Sequence, residues 1–341
     1  MFVRKGIWGP YISWKLALRV TRSSSLLRAA IFAAIAISIL PARVTAQAKP
    51  WISHDCGNGV LLRLSSPAAL QGGLVQAEVR STAPLTGIDA KWGDHTLPFW
   101  PVVPSANIQR VNGQGTKVQR ANIQRALLGI DLEEKSGEYE IAFAAQLPGG
   151  EKVSCSARVS VKEGKFAVEN LKVAPEFVEP NPSDVERANK ERQRLRELFG
   201  TSTPERLWRG SFRLPLPGAK NARNFGRRRV LNGQPGSPHT GVDFPAPSGT
   251  LIHASQRGRV VLAENLFFSG NTVILDHGLG VYTFYGHMVS MSVKVGDVVN
   301  TGAILGHVGA TGRVTGPHLH WGLTVDQARV NPLQIVGLPT P

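Results

Sequence analysis

Cysteine is scarce in this chain, with two in 341 residues, Cys56 and Cys155. Both lie far from the histidines that crowd the C-terminal part, which argues against thiol catalysis. The two either pair, as an oxidising compartment permits, or stay as buried free thiols; we expect the pair. Closing so long a loop stabilises by about 4–5 kcal/mol on the chain-entropy model. Also missing is any run of 18 apolar residues, so no segment makes a comfortable membrane span. Acidic residues are absent from the first 46 positions, which hold seven of the 39 Lys and Arg. The net charge of +15 comes without a basic–aromatic stripe or a known recognition motif, which argues against nucleic acid as a partner.

What is present is globular: 42% hydrophobic and 18% charged residues, with 36 Gly and 23 Pro that favour a turn-rich β architecture. The length suggests two domains plus a leader. Residues 1–46 read as that leader. Basic residues from Arg4 to Arg28 precede the apolar stretch Ala29 to Leu40, then Pro41 and the small residues Val44-Thr45-Ala46. This is the pattern of a secretory signal cut after Ala46, or after Ala48 as second choice, although retention as an anchor stays open. Export to the periplasm or cell envelope follows. With the leader removed, 32 basic residues face 24 acidic ones, an excess of +8 that suits an anionic polymer or simply a solvated surface.

Residues 47–165 alternate with period two. Val75, Ala77 and Val79 interleave with Gln76, Glu78 and Arg80; Tyr139, Ile141 and Phe143 do the same, as do Val153 to Val161. Half-buried antiparallel strands have this pattern, and a small β-sandwich of immunoglobulin-like character is expected, with Cys155 on its apolar face. It offers no catalytic constellation, so its expected role is to position the protein or to contact an envelope partner. Ala106-Asn107-Ile108-Gln109-Arg110 recurs as Ala121-Asn122-Ile123-Gln124-Arg125, read as a local duplication in a hairpin or loop.

Residues 166–207 read as a linker. Pro175, Pro180 and Pro182 punctuate it, and Ser183 and Glu186 form a capping box for a charged helix over 183–199. Its thin apolar face (Val185, Ala188, Leu195, Leu198, Phe199) could dock on a neighbour. We expect a solvated spacer rather than a helix that shields a site.

Over 208–341 strand and turn signals are dense and helix signals nearly absent. Seven of the nine histidines fall between His239 and His320. His318 and His320, two apart on a strand, share a face. His239 and Asp243 stand four apart across Gly241, and His287 follows the strand Val281 to Tyr285 on the parity of Val281, Thr283 and Tyr285. A hydrolytic zinc takes three ligands from His and Asp or Glu and leaves one position for water. These five residues supply candidates for three ligands and two proton-handling groups, without themselves dividing the roles. His-x-His alone, or His-x-x-x-Asp alone, would be a weak signal.

His239-Thr240-Gly241-Val242-Asp243-Phe244, then Tyr285-Gly286-His287-Met288, Gly309-Ala310-Thr311-Gly312 and Thr315-Gly316-Pro317-His318-Leu319-His320-Trp321 resemble the lysostaphin/LytM-type peptidoglycan endopeptidases over about residues 210–332. The resemblance implies an all-β architecture: a C-terminal antiparallel β zinc metallopeptidase domain over 208–341, after the sandwich and the linker helix. It implies Zn²⁺ held by His239, Asp243 and His320, with His318 as catalytic base and His287 as the second catalytic histidine. Peptide bonds in peptidoglycan stems or cross-links are then the substrate. A non-catalytic relative that binds cell wall or activates an amidase is the alternative; such relatives usually lack ligands. Two features depart from the pattern. Trp321-Gly322 replaces the frequent Phe-Glu and is expected at the groove floor, and no tyrosine for the oxyanion can be placed in 230–238. His253, His277 and His307 are expected to be structural or solvated.

Overall fold

The period-two segments of the N-terminal part pair into two five-stranded sheets. One runs, in spatial order, Ile52–Asp55, Val60–Leu64, Leu74–Ser81, Asn122–Gly129 and Trp100–Val102. The other runs Ala68–Leu70, Lys152–Lys162, Gly137–Gln146, Thr86–Trp92 and His95–Thr96. This is a computed structural model, and it describes residues 51–102, 121–219, 224–336 and 338. The leader and the first copy of the duplicated pentapeptide lie outside the described residues. Val60, Leu62, Val75, Val79, Leu128, Ile141, Phe143 and Val159 fill the space between the sheets, so alternation does what amphipathic strands require. Cys56 and Cys155 are joined across the two sheets, with a Cα separation of 4.9 Å.

Of the second pentapeptide copy, Asn122 to Arg125 lie in the strand Asn122–Gly129, which pairs antiparallel with the preceding strand Trp100–Val102, as the hairpin reading requires. One expectation for this region changes. Leu74–Ser81 is not half-exposed, because Gln76 and Glu78 are buried along with the apolar face. Glu78 lies beneath Arg63, Arg80 and Arg125, at 2.5, 2.6 and 2.9 Å. Burial would raise its carboxyl, but the Arg80 and Arg125 guanidiniums outweigh that and lower it. A buried carboxylate is tolerable when so paired.

The C-terminal strands form a nine-stranded sheet. Its main path is Gly241–Pro245, His318–Val325, Val281–Met291, Gly270–Asp276, Gly258–Leu266 and Val298–Val299, every neighbour antiparallel. Val242, Phe244, Val273, Tyr285, Leu319 and Trp321 fill the core on one face. The sandwich rests against this part through Trp100, Val102 and Leu127, packed with Trp208, Phe212, Val281 and Val325. Arg329 also reaches across to Asp131 at 2.6 Å and Glu133 at 2.9 Å.

The connector is not a free spacer. Val168–Leu171 runs parallel to Arg228–Leu231, a strand of the C-terminal part. The helix spans Pro182–Gly200, one residue longer at each end than expected. Asn181, not Ser183, is the N-cap: its side chain accepts from Asp184 N at 2.9 Å, which leaves Pro182 at a position that needs no N–H. Leu195, Leu198 and Phe199 pack on Leu262, Leu266, Ile274 and Tyr282. Arg187 donates to Asn265 O at 2.9 Å, and Glu191 accepts from Phe267 N at 2.8 Å. The thin apolar stripe is thus wide enough to dock because polar contacts flank it.

Candidate metal centre

Antiparallel pairing sets Asp243 directly opposite His320, and His320 is in turn opposite Gly286. His318 and His320 project to one face, as their spacing requires. Gly241 keeps this close: a Cβ there would sit 2.5 Å from Trp321 O and 2.8 Å from the His320 ring. Trp321 itself points the other way, fully buried in the core. It is Gly322, not the indole, that faces the groove, which corrects the expectation for this pair.

His287 arrives by an irregularity that alternation does not show. Asn271 pairs with Met288 and Val273 with Tyr285, so Gly286 and His287 together stand opposite Thr272. This bulge puts His287 at φ +63°, a left-handed conformation uncommon for a residue with a Cβ. Strict parity would have sent His287 to the core with Tyr285. The extra residue turns it to the groove, where its ring is 4.8 Å from that of His318 and 6.0 Å from that of His320, centre to centre. The backbone is held by His287 N donating to Ser269 O at 2.8 Å.

Hydrogen bonds to carbonyls set the tautomers. His239 Nδ1 is 2.8 Å from Asn224 O, His287 Nδ1 is 2.8 Å from Thr311 O, and His318 Nδ1 is 2.8 Å from Gly316 O. A carbonyl only accepts, so each Nδ1 carries the proton and each Nε2 presents a lone pair. His239 Nε2 then lies 2.9 Å from Asp243 Oδ1 and 3.0 Å from His320 Nδ1, and His320 Nδ1 lies 2.8 Å from the same oxygen. His239, Asp243 and His320 form a group whose ligand atoms lie within 4.8 Å of one another. A lone pair on His239 facing a carboxylate oxygen at 2.9 Å is repulsive unless a cation sits among them. Two imidazole nitrogens and a carboxylate oxygen also match the donor set that zinc prefers.

Electrostatics follow from burial. Burial would raise the Asp243 carboxyl, yet its close contacts with the His239 and His320 ring nitrogens outweigh that and hold Asp243 far below the usual carboxylate range. Burial lowers His320 to about 4, against the pull of Asp243. Burial, then the charges of His320 and His318, lower His287 to about 3. His320 and His287 are thus neutral at physiological pH, the form that metal ligation and proton acceptance both need.

All five residues singled out in the sequence therefore meet. The other three histidines do not join them: His253 Nδ1 faces Gly302 O, His307 Nδ1 faces Ser290 Oγ, and His277 is buried against Arg257 O and Thr283. Sequence reasoning missed four neighbours. Asn224 holds His239 through its carbonyl and the Asp243 backbone through Oδ1 (3.1 Å). Thr311 holds His287, and the Gly309-Ala310-Thr311-Gly312 stretch was the only signal for it. Arg229 donates to Asp243 Oδ2 at 3.1 Å. Arg313 lies over the Phe268 ring, 4.5 Å from its centroid. Among the described residues no tyrosine lines the groove. The cavity at the site is about 670 Å³, and the docked helix supplies part of its wall through Arg192, Leu195, Arg196 and Phe199.

Residues 237–332 match the model of Peptidase family M23. The DD-carboxypeptidase/endopeptidase Mpg of Neisseria meningitidis serogroup B is 43% identical over 103 residues, which is 30% of this chain and 24% of that protein. Peptidoglycan DD-endopeptidase ShyA of Vibrio cholerae is 43% identical over 98 residues, 29% of this chain and 23% of its own length. The chain thus spans about a quarter of the length of these curated relatives. A crystal structure from Pseudomonas aeruginosa, assigned to peptidase M23, superposes with a TM-score of 0.55 at 27% identity. It covers 80% of this chain and 96% of that one, so the shared fold extends ahead of the matched residues. The chain carries a peptidase family M23 domain at residues 237–332.

Proposed function

We propose that this protein is an exported zinc metalloendopeptidase that hydrolyses peptide bonds in peptidoglycan stems or cross-links. The observation that carries the reading is the convergence of His239 Nε2, Asp243 Oδ1 and His320 Nδ1, with two further lone pairs, on His287 and His318, beside them. Relatives named as peptidoglycan DD-endopeptidases support the substrate class. The envelope is the matching location, reached by way of the 1–46 leader. Among the described residues no helix is long and apolar enough to cross a membrane. The sandwich is proposed to position the enzyme or to meet an envelope partner.

His239, Asp243 and His320 would hold the zinc. Bound there, zinc acts as a Lewis acid on the scissile carbonyl and lowers the pKa of water to about 7. His318 is the general base: with its Nδ1 proton committed to Gly316 O, Nε2 is the one site free to take a proton from water. Carrying that proton, it is then the acid that delivers it to the departing amine. His287 has the same tautomer, so its Nε2 accepts a hydrogen bond and orients the attacking water, and Thr311 keeps the ring aimed. In that form it has no proton to offer an oxyanion.

Digestion of purified peptidoglycan of the directly cross-linked and the glycine-bridged kind, with and without chelator, tests the reading. Fragments are identified by mass, and metal content is measured on the same preparation. Peptide fragments that vanish with chelator and return with zinc are expected. Protein without stoichiometric zinc whose wall-degrading activity survives His320→Ala would overturn the proposal.

A further inference from the structure

The groove is strongly cationic. Five arginines, Arg192, Arg196, Arg229, Arg313 and Arg329, line the 670 Å³ cavity against a single carboxylate, Asp131. Arg329 is committed to Asp131 and Glu133, and Arg229 to Asp243 and Glu169. Arg313 is different. It lies in the loop between Ile304–Val308 and His318–Val325, half-buried, with its guanidinium stacked on Phe268 and its backbone N donating to Phe268 O at 2.8 Å. Among the described residues no carboxylate pairs with it. Burial and the nearby Arg229 lower its pKa to about 10, so it is still a cation at neutral pH but one held at a cost. A fixed, partly desolvated guanidinium without a counter-ion is a site for an anion, and its planar fork matches a carboxylate.

Position says which carboxylate. Arg313 stands two residues beyond Thr311, the anchor of His287, and it also lines a second recess of about 310 Å³. There its neighbours include Arg229, Asp243 and His318. His318 serves the departing nitrogen, so this recess is on the leaving side of the bond. We propose that Arg313 is a specificity residue that binds a free carboxylate on the carbon bearing the scissile amide nitrogen. The preferred substrate is then a cross-link to an acidic diamino-acid centre, not a glycine bridge or a lysine side-chain amide, which offer no carboxylate there. This rests on the endopeptidase reading above and narrows it.

The test uses two synthetic peptides with the same D-alanyl amide bond, differing only in a carboxylate or a carboxamide on the leaving-side carbon. Zinc-loaded full-length protein is expected to favour the carboxylate by about tenfold or more in kcat/KM, mostly through KM, as for a charge-assisted hydrogen bond. The preference is expected to fall to within twofold in Arg313→Gln and to return in part in Arg313→Lys. The same peptides are titrated onto His318→Ala, with and without Arg313→Gln, to read binding without turnover. If neither peptide is cut but the carboxylate preference in binding depends on Arg313, the endopeptidase reading falls and the subsite stands. Equal turnover of both peptides by the wild type, a preference that Arg313→Gln retains, or binding without preference overturns the subsite.

Discussion

His277 ties the acid stability of the peptidase sheet to one buried ring. Its side chain is fully buried, with Nδ1 2.8 Å from Arg257 O and Nε2 2.7 Å from Thr283 Oγ1. The carbonyl accepts a hydrogen bond from Nδ1–H, so Nε2 accepts from the threonine hydroxyl, and the chain continues to Tyr285 OH and Ser255 Oγ, each step 3.0 Å. Protonation at Nε2 would reverse that donor and place a cation in the core. Burial accordingly lowers the ring from 6.5 to about 4, although the Arg257 carbonyl and Asp276 pull the other way. A depressed histidine means that the unfolded chain binds more protons across that window. Stability is therefore complete above pH 6.5 and is lost as pH falls toward 4. From pH 7 to pH 4.5 this one group removes roughly 2–3 kcal/mol, by the usual 1.36 kcal/mol per pKa unit. That is a large share of a typical 5–15 kcal/mol. Denaturant unfolding at several pH values, wild type against His277→Gln, reads it out. The variant is expected to be weaker at pH 7 by about 1–3 kcal/mol for its poorer hydrogen bonds, and its stability should fall less steeply with acid. Parallel loss in the two proteins between pH 7 and 4.5 would refute the assignment.

Four further outcomes are expected. His318→Ala should keep its zinc by elemental analysis while kcat falls by about 10²–10⁴, the range for a lost general base; loss of the metal instead would mean that His318 is a ligand. Gly270→Ala should lower kcat by about 10- to 100-fold with zinc retained. Gly270 has φ +61°, and a Cβ there lies 2.4 Å from the backbone carbon of Thr311, the residue that aims His287. Glu78→Ala should cost about 3–5 kcal/mol in denaturant unfolding, since three arginines lose their shared carboxylate; a cost below about 1 kcal/mol would contradict the buried pairing. Reduction of Cys56–Cys155, 99 residues apart, should lower stability by about 4–5 kcal/mol on the chain-entropy model, with equal midpoints in oxidant and reductant counting against the bond.

Local pattern carried much of this protein. Alternation in Val153 to Val161 is enough to place Cys155 on an inner face, because a strand has only two faces. His318 and His320 share a side for the same reason, and Asp243 needs only its distance from His239 across Gly241. The helix was legible from its charges and its breakers, within one residue at each end. The capping box misled because Ser183 and Glu186 offer the right spacing, while Asn181 ahead of Pro182 offers a better-placed oxygen.

What only the tertiary structure decided are the contacts made across long stretches of chain. Parity sent His287 to the core, and one extra residue opposite Thr272 brought it to the groove. Backbone carbonyls of Asn224, Thr311 and Gly316 choose the histidine tautomers, and a carbonyl has no signature in sequence, since every residue carries one. The helix docks instead of floating because Leu195, Leu198 and Phe199 find a matching apolar face some 70 to 80 residues further along. Arg229 and Arg313 are unremarkable letters in a basic chain until folding sets them beside Asp243 and His287. Residue spacing along one strand is a short-range property that the sequence states directly. The identity of the group that closes a site from the far side is decided by packing, and packing is not written in any one segment.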